Sequence, residues 1–329
     1  MRGKPVPRER MLEVAEHYYH FDGVSPINEQ ARQLISVLRA EMDNAGIDLP
    51  IYWGNRNWYP LLPDTLRQME RDGIKRALAF FTSAYSSYSG CRQYRENIIA
   101  AREEVGPAAP QIDKLRVFYN HPGFIAANVD RIGVAIEQLP IDARSSLRIA
   151  FTAHSIPLSM SNNCNYVKQL EESCRLVAEA LQLSKEQWQL VYQSRSGRPG
   201  DPWLEPDIGD HIRTLAKQGV PSLVIAPIGF ISDHMEVLFD LDEEARAICD
   251  EHGMMMVRAG SAGTHPAFIA CIRELIEERI GRRTERRAIG QFGPSHDVCP
   301  ADCCQYAVRP PAGRPESSST GRPAAHGGQ

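Results

Sequence analysis

A histidine at the end of an apolar run is the first residue whose type and position suggest chemistry. His154 follows residues 148–152, a pattern that predicts a short buried strand. An imidazole ligates divalent metals or accepts a proton near neutral pH. The alternative is a histidine that only satisfies hydrogen bonds where a strand ends. His154 is therefore a candidate metal ligand or proton acceptor.

A row of carboxylates is the second candidate. Glu236, Asp240 and Glu244 are four residues apart on a helical pattern that begins near His234, so their side chains should lie along one face. Like charges in a row repel, which raises the proton affinity of some of them and attracts cations. Such a row suits a hydrated metal or a proton relay, and the alternative is a solvated acidic surface. Its place after an apolar strand and the turn at 227–230 favours a site.

Three of the eight cysteines lie within six residues. Cys299, Cys303 and Cys304 offer three thiolates to one centre, which is typical of a metal or cluster site. A [2Fe-2S] cluster needs four ligands, so we expect the fourth from the body of the chain. Cys164 is our prediction for that ligand, and Cys91 is the alternative. A zinc site and a reactive tail without metal are the competing interpretations.

The composition is that of an ordinary globular chain and excludes several classes of protein. The 329 residues are 43% hydrophobic and 24% charged, with a net charge of -4. An acidic balance argues against a nucleic-acid partner or an anionic membrane surface. We see neither a signal peptide nor an apolar run of about 18 residues, so we expect a cytoplasmic protein without a transmembrane segment. No Gly-rich fingerprint follows a strand, so we expect no nucleotide cofactor.

Short apolar runs alternate with longer amphipathic ones along most of the chain. This order predicts an α/β fold in which parallel sheets are flanked by helices. Because polar and aromatic residues follow nearly every strand, we expect one large site at the carboxyl ends of the strands. The predicted strands are residues 51–53, 77–81, 115–119, 148–152, 188–192, 222–226 and 254–257.

The same pattern predicts how the chain divides into lobes. We expect an N-terminal α/β lobe at 1–142 and a C-terminal α/β lobe at 143–282, which carries the histidine and the glutamate. Residues 283–308 form a predicted extension with the cysteine group. Residues 309–329 are rich in Pro, Gly and Ser and are predicted to be disordered. We find no obvious internal repeat, and the sequence predicts no oligomeric state.

Taken together, the strand endings resemble the ferrochelatase family. The resemblance runs in order from about residue 2 to residue 280, and several motifs together make a chance match unlikely to arise. The SPIN and CRQY segments look closest to the bacterial branch that uses coproporphyrin III. The matching motifs are GVSPIN at 23–28, SGCRQY at 89–94, FTAHSIP at 151–157, YQSRSG at 192–197, WLEP at 203–206 and PIGFISDHMEVL at 227–238.

The resemblance implies two Rossmann-like lobes with a porphyrin in the cleft between them, and Fe²⁺ as a substrate in heme biosynthesis. It gives His154 and Glu236 the two metal-handling positions, with Asp240 and Glu244 as the acidic row beyond them. It also implies tetrapyrrole contacts by three further residues. The cysteine group resembles the C-terminal cluster ligands of iron–sulfur members. The tetrapyrrole contacts are Tyr18, Ser25 and Tyr94.

The resemblance leaves the substrate and the activity open. Coproporphyrin III is our prediction, because four propionates suit cationic side chains such as Arg56, Arg92 and Arg195. Protoporphyrin IX is the alternative, and a chelatase for cobalt or nickel is a rival within the enzyme class. Family members usually begin with an apolar strand upstream of the point where this chain starts. We therefore also consider an inactive tetrapyrrole-binding homologue that lacks the first strand.

Overall fold

The structure is a computed structural model that describes residues 23–196 and 200–306, together with the isolated residues 8, 12, 15 and 19. Tyr18 and the predicted tail at 309–329 therefore lie outside the described residues. No helix in the described part of the chain is long and apolar enough to cross a bilayer.

The first half of the chain forms a small parallel sheet with helices around it. Strand β1 (Arg76–Ala79) pairs with strand β2 (Gln111–Lys114), and Arg76 lies opposite Gln111. A π-helical turn at Tyr88–Arg92 leads directly into the helix that follows β1. The helices of this half are Ile27–Asn44, Leu62–Arg71, Gln93–Val105 and Pro122–Glu137.

The second half forms a four-stranded parallel sheet with the order β4-β3-β5-β6. Its strands are β3 (Arg148–His154), β4 (Trp188–Gln193), β5 (Ser222–Ala226) and β6 (Met255–Arg258). The interior of β3 and all of β5 are buried, as expected for strands covered on both faces. The helices are Ile141–Arg144, Leu158–Ser161, Tyr166–Ala180, Ile208–Lys217, Met235–Val237, Arg246–Glu251 and Pro266–Ile280, with a 3₁₀ turn at Lys185–Gln187 and a π-helix at Leu238–Ala245.

The predicted fold class is confirmed, and two of the predicted strands are wrong. Residues 51–53 lie outside any strand, because no neighbouring strand pairs with them in the described part of the chain. Residues 115–119 come after β2 rather than forming it. Leu115 still donates its N–H to Ala79 O, and the chain then turns into the core, where Phe118 is buried. A buried apolar run is therefore not always a strand.

One hydrophobic core joins the two halves. Phe118 and Phe124 from the first half and Phe268 from the second lie in the same buried cluster as Phe151 of β3. The rings of Phe124 and Phe268 are 5.9 Å apart. The helix Pro266–Ile280 packs against helices of the first half, so the halves share elements. The division at residue 142 stays a prediction.

The helices Pro122–Glu137 and Pro266–Ile280 begin with similar sequences. This short repeat was not predicted from the sequence. His121 and His265 each precede a Pro-x-Phe-Ile-Ala segment, and each ring Nδ1 accepts a hydrogen bond from a main-chain N–H of the first turn at 3.2 Å. The helices approach closely at Gly123, where an added Cβ would lie 2.4 Å from Ala267 O. Glycine is therefore required at this crossing.

The segment after the last helix is held against the first half by arginines and main-chain hydrogen bonds. Arg116 donates to Arg287 O at 2.9 Å, and it pairs with Glu278 near the end of the helix through two contacts of 2.8 Å, with both side chains almost fully buried. Asn120 donates to Phe292 O at 2.8 Å, and Arg286 pairs with Asp297 at 3.2 Å. These contacts fix the path of the chain between the last helix and the cysteine group.

Candidate active site

His154 is the last residue of β3 and lies at the carboxyl edge of the larger sheet. Its main-chain O accepts a hydrogen bond from the hydroxyl of the buried Tyr166 at 3.0 Å. Its ring Nδ1 lies 2.5 Å from Ser155 O. Because a carbonyl oxygen only accepts, Nδ1 must carry the proton. The Nε2 lone pair is then left to bind a metal or take a proton.

The loop after β5 lies against the end of β3. Gly229 donates its N–H to Thr152 O at 2.9 Å, and a Cβ at this position would lie 2.6 Å from Ala153 Cα. The buried Tyr85 of the first half donates its hydroxyl to Ile228 O at 3.0 Å. The absence of a side chain at Gly229 is thus what lets this loop reach the residue before His154.

The same loop delivers an imidazole and a carboxylate to the neighbourhood of His154. Glu236 is exposed in the first turn of the helix Met235–Val237, and the ring of His234 stacks edge-on to Phe230 at 5.1 Å. Burial lowers the pKa of His234, Glu236 partly opposes this shift and the charge of His154 adds to it. The effects of both Glu236 and His154 on His234 indicate that the loop brings these side chains into one neighbourhood.

Asp240 joins this group from the π-helix. Its carboxylate accepts hydrogen bonds from Gln193 at 3.1 Å and from the hydroxyl of Ser194. Burial raises the pKa of Asp240, the two hydrogen bonds oppose the shift, and Glu236 raises it further while His154 lowers it. Gln193 is the register partner of His154 on the neighbouring strand. The row of carboxylates therefore begins beside the histidine.

The predicted row lies on a helix that is not uniformly α-helical. Asp240 and Glu244 both belong to the π-helix Leu238–Ala245, which continues as an α-helix at Arg246–Glu251. A π-helix is wider than an α-helix and is frequent at functional sites. Asp240 is half-buried whereas Glu244 is exposed, so the row runs from the site towards solvent.

The other predicted substrate contacts come from the first half. Tyr94 stacks on Phe81 with ring centroids 5.0 Å apart, and the guanidinium of Arg56 lies 4.6 Å from the Tyr94 ring. Arg56 also donates to Asn97 at 3.0 Å. Ser25 lies just before the helix Ile27–Asn44. Tyr18 falls outside the described residues.

The structure brings five cysteines together in a second group. The sulfurs of Cys303 and Cys304 are 3.5 Å apart, and the thiols of Cys91 and Cys299 hydrogen-bond to each other. That hydrogen bond lowers the pKa of Cys299 and raises the pKa of Cys91. Cys164 also lies near Cys303, but its thiol donates to main-chain oxygens of its own turn. The two pairs are close to each other, since the sulfurs of Cys299 and Cys303 lie within 4.8 Å.

Two arginines hold the cysteine loop onto the helix that carries Tyr94. Arg92 donates to Ala301 O at 2.9 Å and to Cys303 O at 3.0 Å, and Arg95 donates to Pro300 O at 3.3 Å. The Arg92 side chain therefore serves the loop, and the expectation that it meets a substrate propionate is not supported by its contacts.

Comparison with known proteins decides the family. The model of the ferrochelatase family matches residues 3–280. The chain belongs to the ferrochelatase family. A ferrochelatase of Rhodopirellula baltica is 61% identical in an alignment 320 residues long that covers 96% of this chain and 90% of the relative. A coproporphyrin III ferrochelatase of Streptomyces griseus is 49% identical in an alignment 331 residues long that covers 94% of this chain and 88% of the relative.

A solved structure shows the same chelatase-type fold. SirB from Bacillus subtilis superposes with a TM-score of 0.53 at 13% identity, over 76% of this chain and 91% of that chain. The predicted family and fold class are thus confirmed. Ferrochelatases are lyases of heme biosynthesis that insert Fe²⁺ into a porphyrin, so the predicted enzyme class is confirmed as well.

Sequence reasoning missed several polar residues of the ferrochelatase site. His234 had a signal, since it lies two residues before Glu236 in a quoted motif. Gln193 and Ser194 follow a predicted strand but have no pattern that links them to Asp240, because that contact joins residues 46 and 47 positions apart.

One further residue near the cysteines was also missed. His296 lies with Cys299 and Cys303 such that their ligand atoms are all within 4.8 Å of one another. Of the scattered cysteines, Cys174 and Cys271 are buried, and burial raises the pKa of both thiols. These two side chains pack in the hydrophobic core.

Proposed function

We propose that the protein inserts Fe²⁺ into coproporphyrin III. The observation that carries this proposal is geometric: Gln193, the strand partner of His154, donates to Asp240, and the loop that leads to Glu236 is hydrogen-bonded to the end of β3. The relatives named coproporphyrin III ferrochelatase support the choice of substrate. Arg56 beside Tyr94 offers a cation to a propionate, and a porphyrin with four propionates has more carboxylates to use than one with two.

The proposed chemistry removes two pyrrole protons while the iron loses water and enters the ring. We assign the first proton transfer to the Nε2 lone pair of His154, since its Nδ1 is held by Ser155 O. Asp240 suits a proton relay, because burial makes its carboxylate more basic than usual. In this scheme Glu236 connects His154 with Asp240, and it is the end of the row of carboxylates that lies at the proposed porphyrin cleft. The residues that line the proposed porphyrin cleft must hold the macrocycle bent, so that its nitrogen lone pairs become accessible to the metal.

The test is anaerobic iron insertion by the full chain. We expect turnover of coproporphyrin III, with a kcat/KM at least about tenfold above that for protoporphyrin IX. His154→Ala and Glu236→Gln should each lower kcat by about 100-fold or more. The matched controls are His252→Ala and Glu251→Gln, which change exposed residues outside the group. Equal turnover of the two porphyrins contradicts the substrate, and active His154→Ala contradicts the mechanism.

We also propose a [2Fe-2S] cluster in the cysteine group. The donor set fits, because four thiols lie together: Cys303 is close to both Cys304 and Cys299, and Cys299 is hydrogen-bonded to Cys91, so these four would hold the cluster. Cys91 is our preferred fourth ligand over the predicted Cys164, whose thiol is satisfied within its own turn. A bound cluster would supply a redox-active, oxygen-sensitive group.

Anaerobically purified protein tests the cluster directly. We expect visible absorption bands and two equivalents each of iron and sulfide per chain. Cys91→Ser should abolish the bands, whereas Cys164→Ser should leave them. Cys249→Ala, at a buried thiol outside the group, is the control. Colourless protein with bound zinc excludes the cluster, and loss of the bands in Cys164→Ser alone restores the original ligand prediction.

A further inference from the structure

The carboxamide of Gln30 bridges the two halves of the molecule. Its Nε2 donates to Asp233 O at 2.9 Å, and its Oε1 accepts from Asp233 N at 2.9 Å. Gln30 lies in the first half, on the helix Ile27–Asn44, whereas Asp233 lies in the loop after β5, 203 residues away. Both polar ends of one side chain are therefore used to hold one residue of the other half.

The loop that carries Asp233 needs such a partner. Asp233 lies between β5, which ends at Ala226, and the helix that begins at Met235, so neither element uses its main-chain groups. A main-chain N–H and C=O in a partly buried loop must be paired somewhere. Gln30 satisfies both, and the link fixes the loop three residues before Glu236.

The side chain of Asp233 is held in the opposite direction, by the second half. Its Oδ1 accepts from Ser261 N at 3.2 Å, and its Oδ2 lies 3.3 Å from Arg258. Arg258 also donates to Asp242 of the π-helix at 2.8 Å. Asp233 is thus the point where contacts from both halves meet, directly before His234 and Glu236.

Gln30 is also tied to the predicted porphyrin contact Ser25. Its N–H donates to Pro26 O at 3.0 Å in the first turn of the helix, and Ser25 precedes that turn. A helical turn is stiff, so the Ser25 turn and the Asp233 peptide are joined by one short rigid connection. A displacement of the Ser25 turn should therefore displace the Asp233 peptide, and the reverse.

We propose that Gln30 is a positioning residue for iron insertion, which sets the gap between the Ser25 turn and Glu236. The inference rests on the function proposed above, since it uses Ser25 and Glu236 in the roles given to them there. Gln30 touches neither substrate nor metal in this scheme. It acts through the Asp233 peptide, and its effect is on turnover rather than on porphyrin affinity.

The experiment compares two substitutions at Gln30 with one control. Gln30→Met keeps the length of the side chain and removes both hydrogen bonds, whereas Gln30→Glu keeps an acceptor for Asp233 N–H and loses the donor. Gln33→Met is the matched control, because Gln33 is exposed on the same helix and its amide donates to Glu29. Each full-length variant is assayed anaerobically for kcat with Fe²⁺ and for coproporphyrin III dissociation by fluorescence, and its thermal unfolding is followed.

We expect Gln30→Met to lower kcat by about tenfold while the porphyrin dissociation constant changes by less than about twofold. Gln30→Glu sets a carboxylate oxygen against Asp233 O and should lower kcat at least as much as Gln30→Met, and Gln33→Met should match the wild type. A wild-type kcat in Gln30→Met overturns the proposal, as does a loss of porphyrin affinity and thermal stability in step with kcat. If Gln30→Met does not fold, the kcat of Gln30→Glu decides in the same way.

Glu236→Gln in the same series distinguishes failure of the positioning role of Gln30 from failure of the proposed function. An inactive Glu236→Gln together with a wild-type Gln30→Met overturns the positioning role alone. A wild-type kcat in Glu236→Gln overturns the proposed function, and the role of Gln30 with it.

Discussion

Gly229→Ala places a carbon where the end of β3 already lies. The added Cβ would be 2.6 Å from both Cα and Cβ of Ala153, and contact becomes ordinary only at 3.4 Å, so loop and strand must separate by about 0.8 Å. Neither opposing atom has a rotamer through which to move away. Overpacking of this kind lowers the free energy of unfolding by about 1–3 kcal/mol. Because the loop leads to Glu236, a shift approaching 1 Å should lower kcat by about 10- to 100-fold.

Iron insertion and urea unfolding measure the two effects separately. Gly133→Ala is the matched control, since its added Cβ meets nothing within 4 Å inside the helix Pro122–Glu137. That change should leave kcat unchanged and raise the free energy of unfolding by about 0.5–1 kcal/mol, because alanine is the better helix former. A folded Gly229→Ala protein with wild-type kcat refutes the claim that this contact sets the position of the loop.

Three further predictions follow from buried charges. Asp240→Asn removes a carboxylate whose pKa burial raises, so the acid limb of the kcat profile should move to lower pH, and an unmoved limb contradicts the relay. Burial lowers the pKa of His121 from 6.5 to about 3. The contribution of this neutral histidine to stability is therefore complete above pH 6.5 and is lost as acid protonates the same residue in the unfolded chain. Urea titrations between pH 6.5 and 5 should show a loss of about 2 kcal/mol, which His121→Asn abolishes. Arg116→Met removes the two 2.8 Å contacts of the buried Glu278 and leaves that carboxylate only Arg286 at 3.8 Å, so it should cost about 3–5 kcal/mol in urea unfolding, most of it recovered when Glu278 is also changed to Met.

Strands with an apolar sequence were predicted correctly to within a few residues, and the mostly polar strand β2 was not. The prediction for β5 matches the observed Ser222–Ala226, because all five of its residues are buried and apolar or small. Strand β2, Gln111–Lys114, is mostly polar and owes its conformation to pairing with β1. Its sequence carries no alternation that marks a strand, and the apolar run next to it attracted the prediction instead.

The candidate site was predictable where one segment carries the signal. His154 follows a strand, and Glu236 begins a row with regular spacing, so both were found from the sequence. The hydrogen bonds from Gln193 to Asp240 and from Gln30 to Asp233 join distant segments, and their residue types are common on any surface. Only the fold brings such pairs together, which is why polar residues that position others escaped sequence reasoning.

The shared core has a consequence for how a flat ring is received. In many two-lobed enzymes a flexible connection allows the lobes to close around the ligand. Here the paired helices Pro122–Glu137 and Pro266–Ile280 bury Phe124 against Phe268 between the halves, and interlocked aromatic packing resists large rotation. We therefore expect little rotation of the halves when a porphyrin binds, so that the bending proposed above falls on the macrocycle.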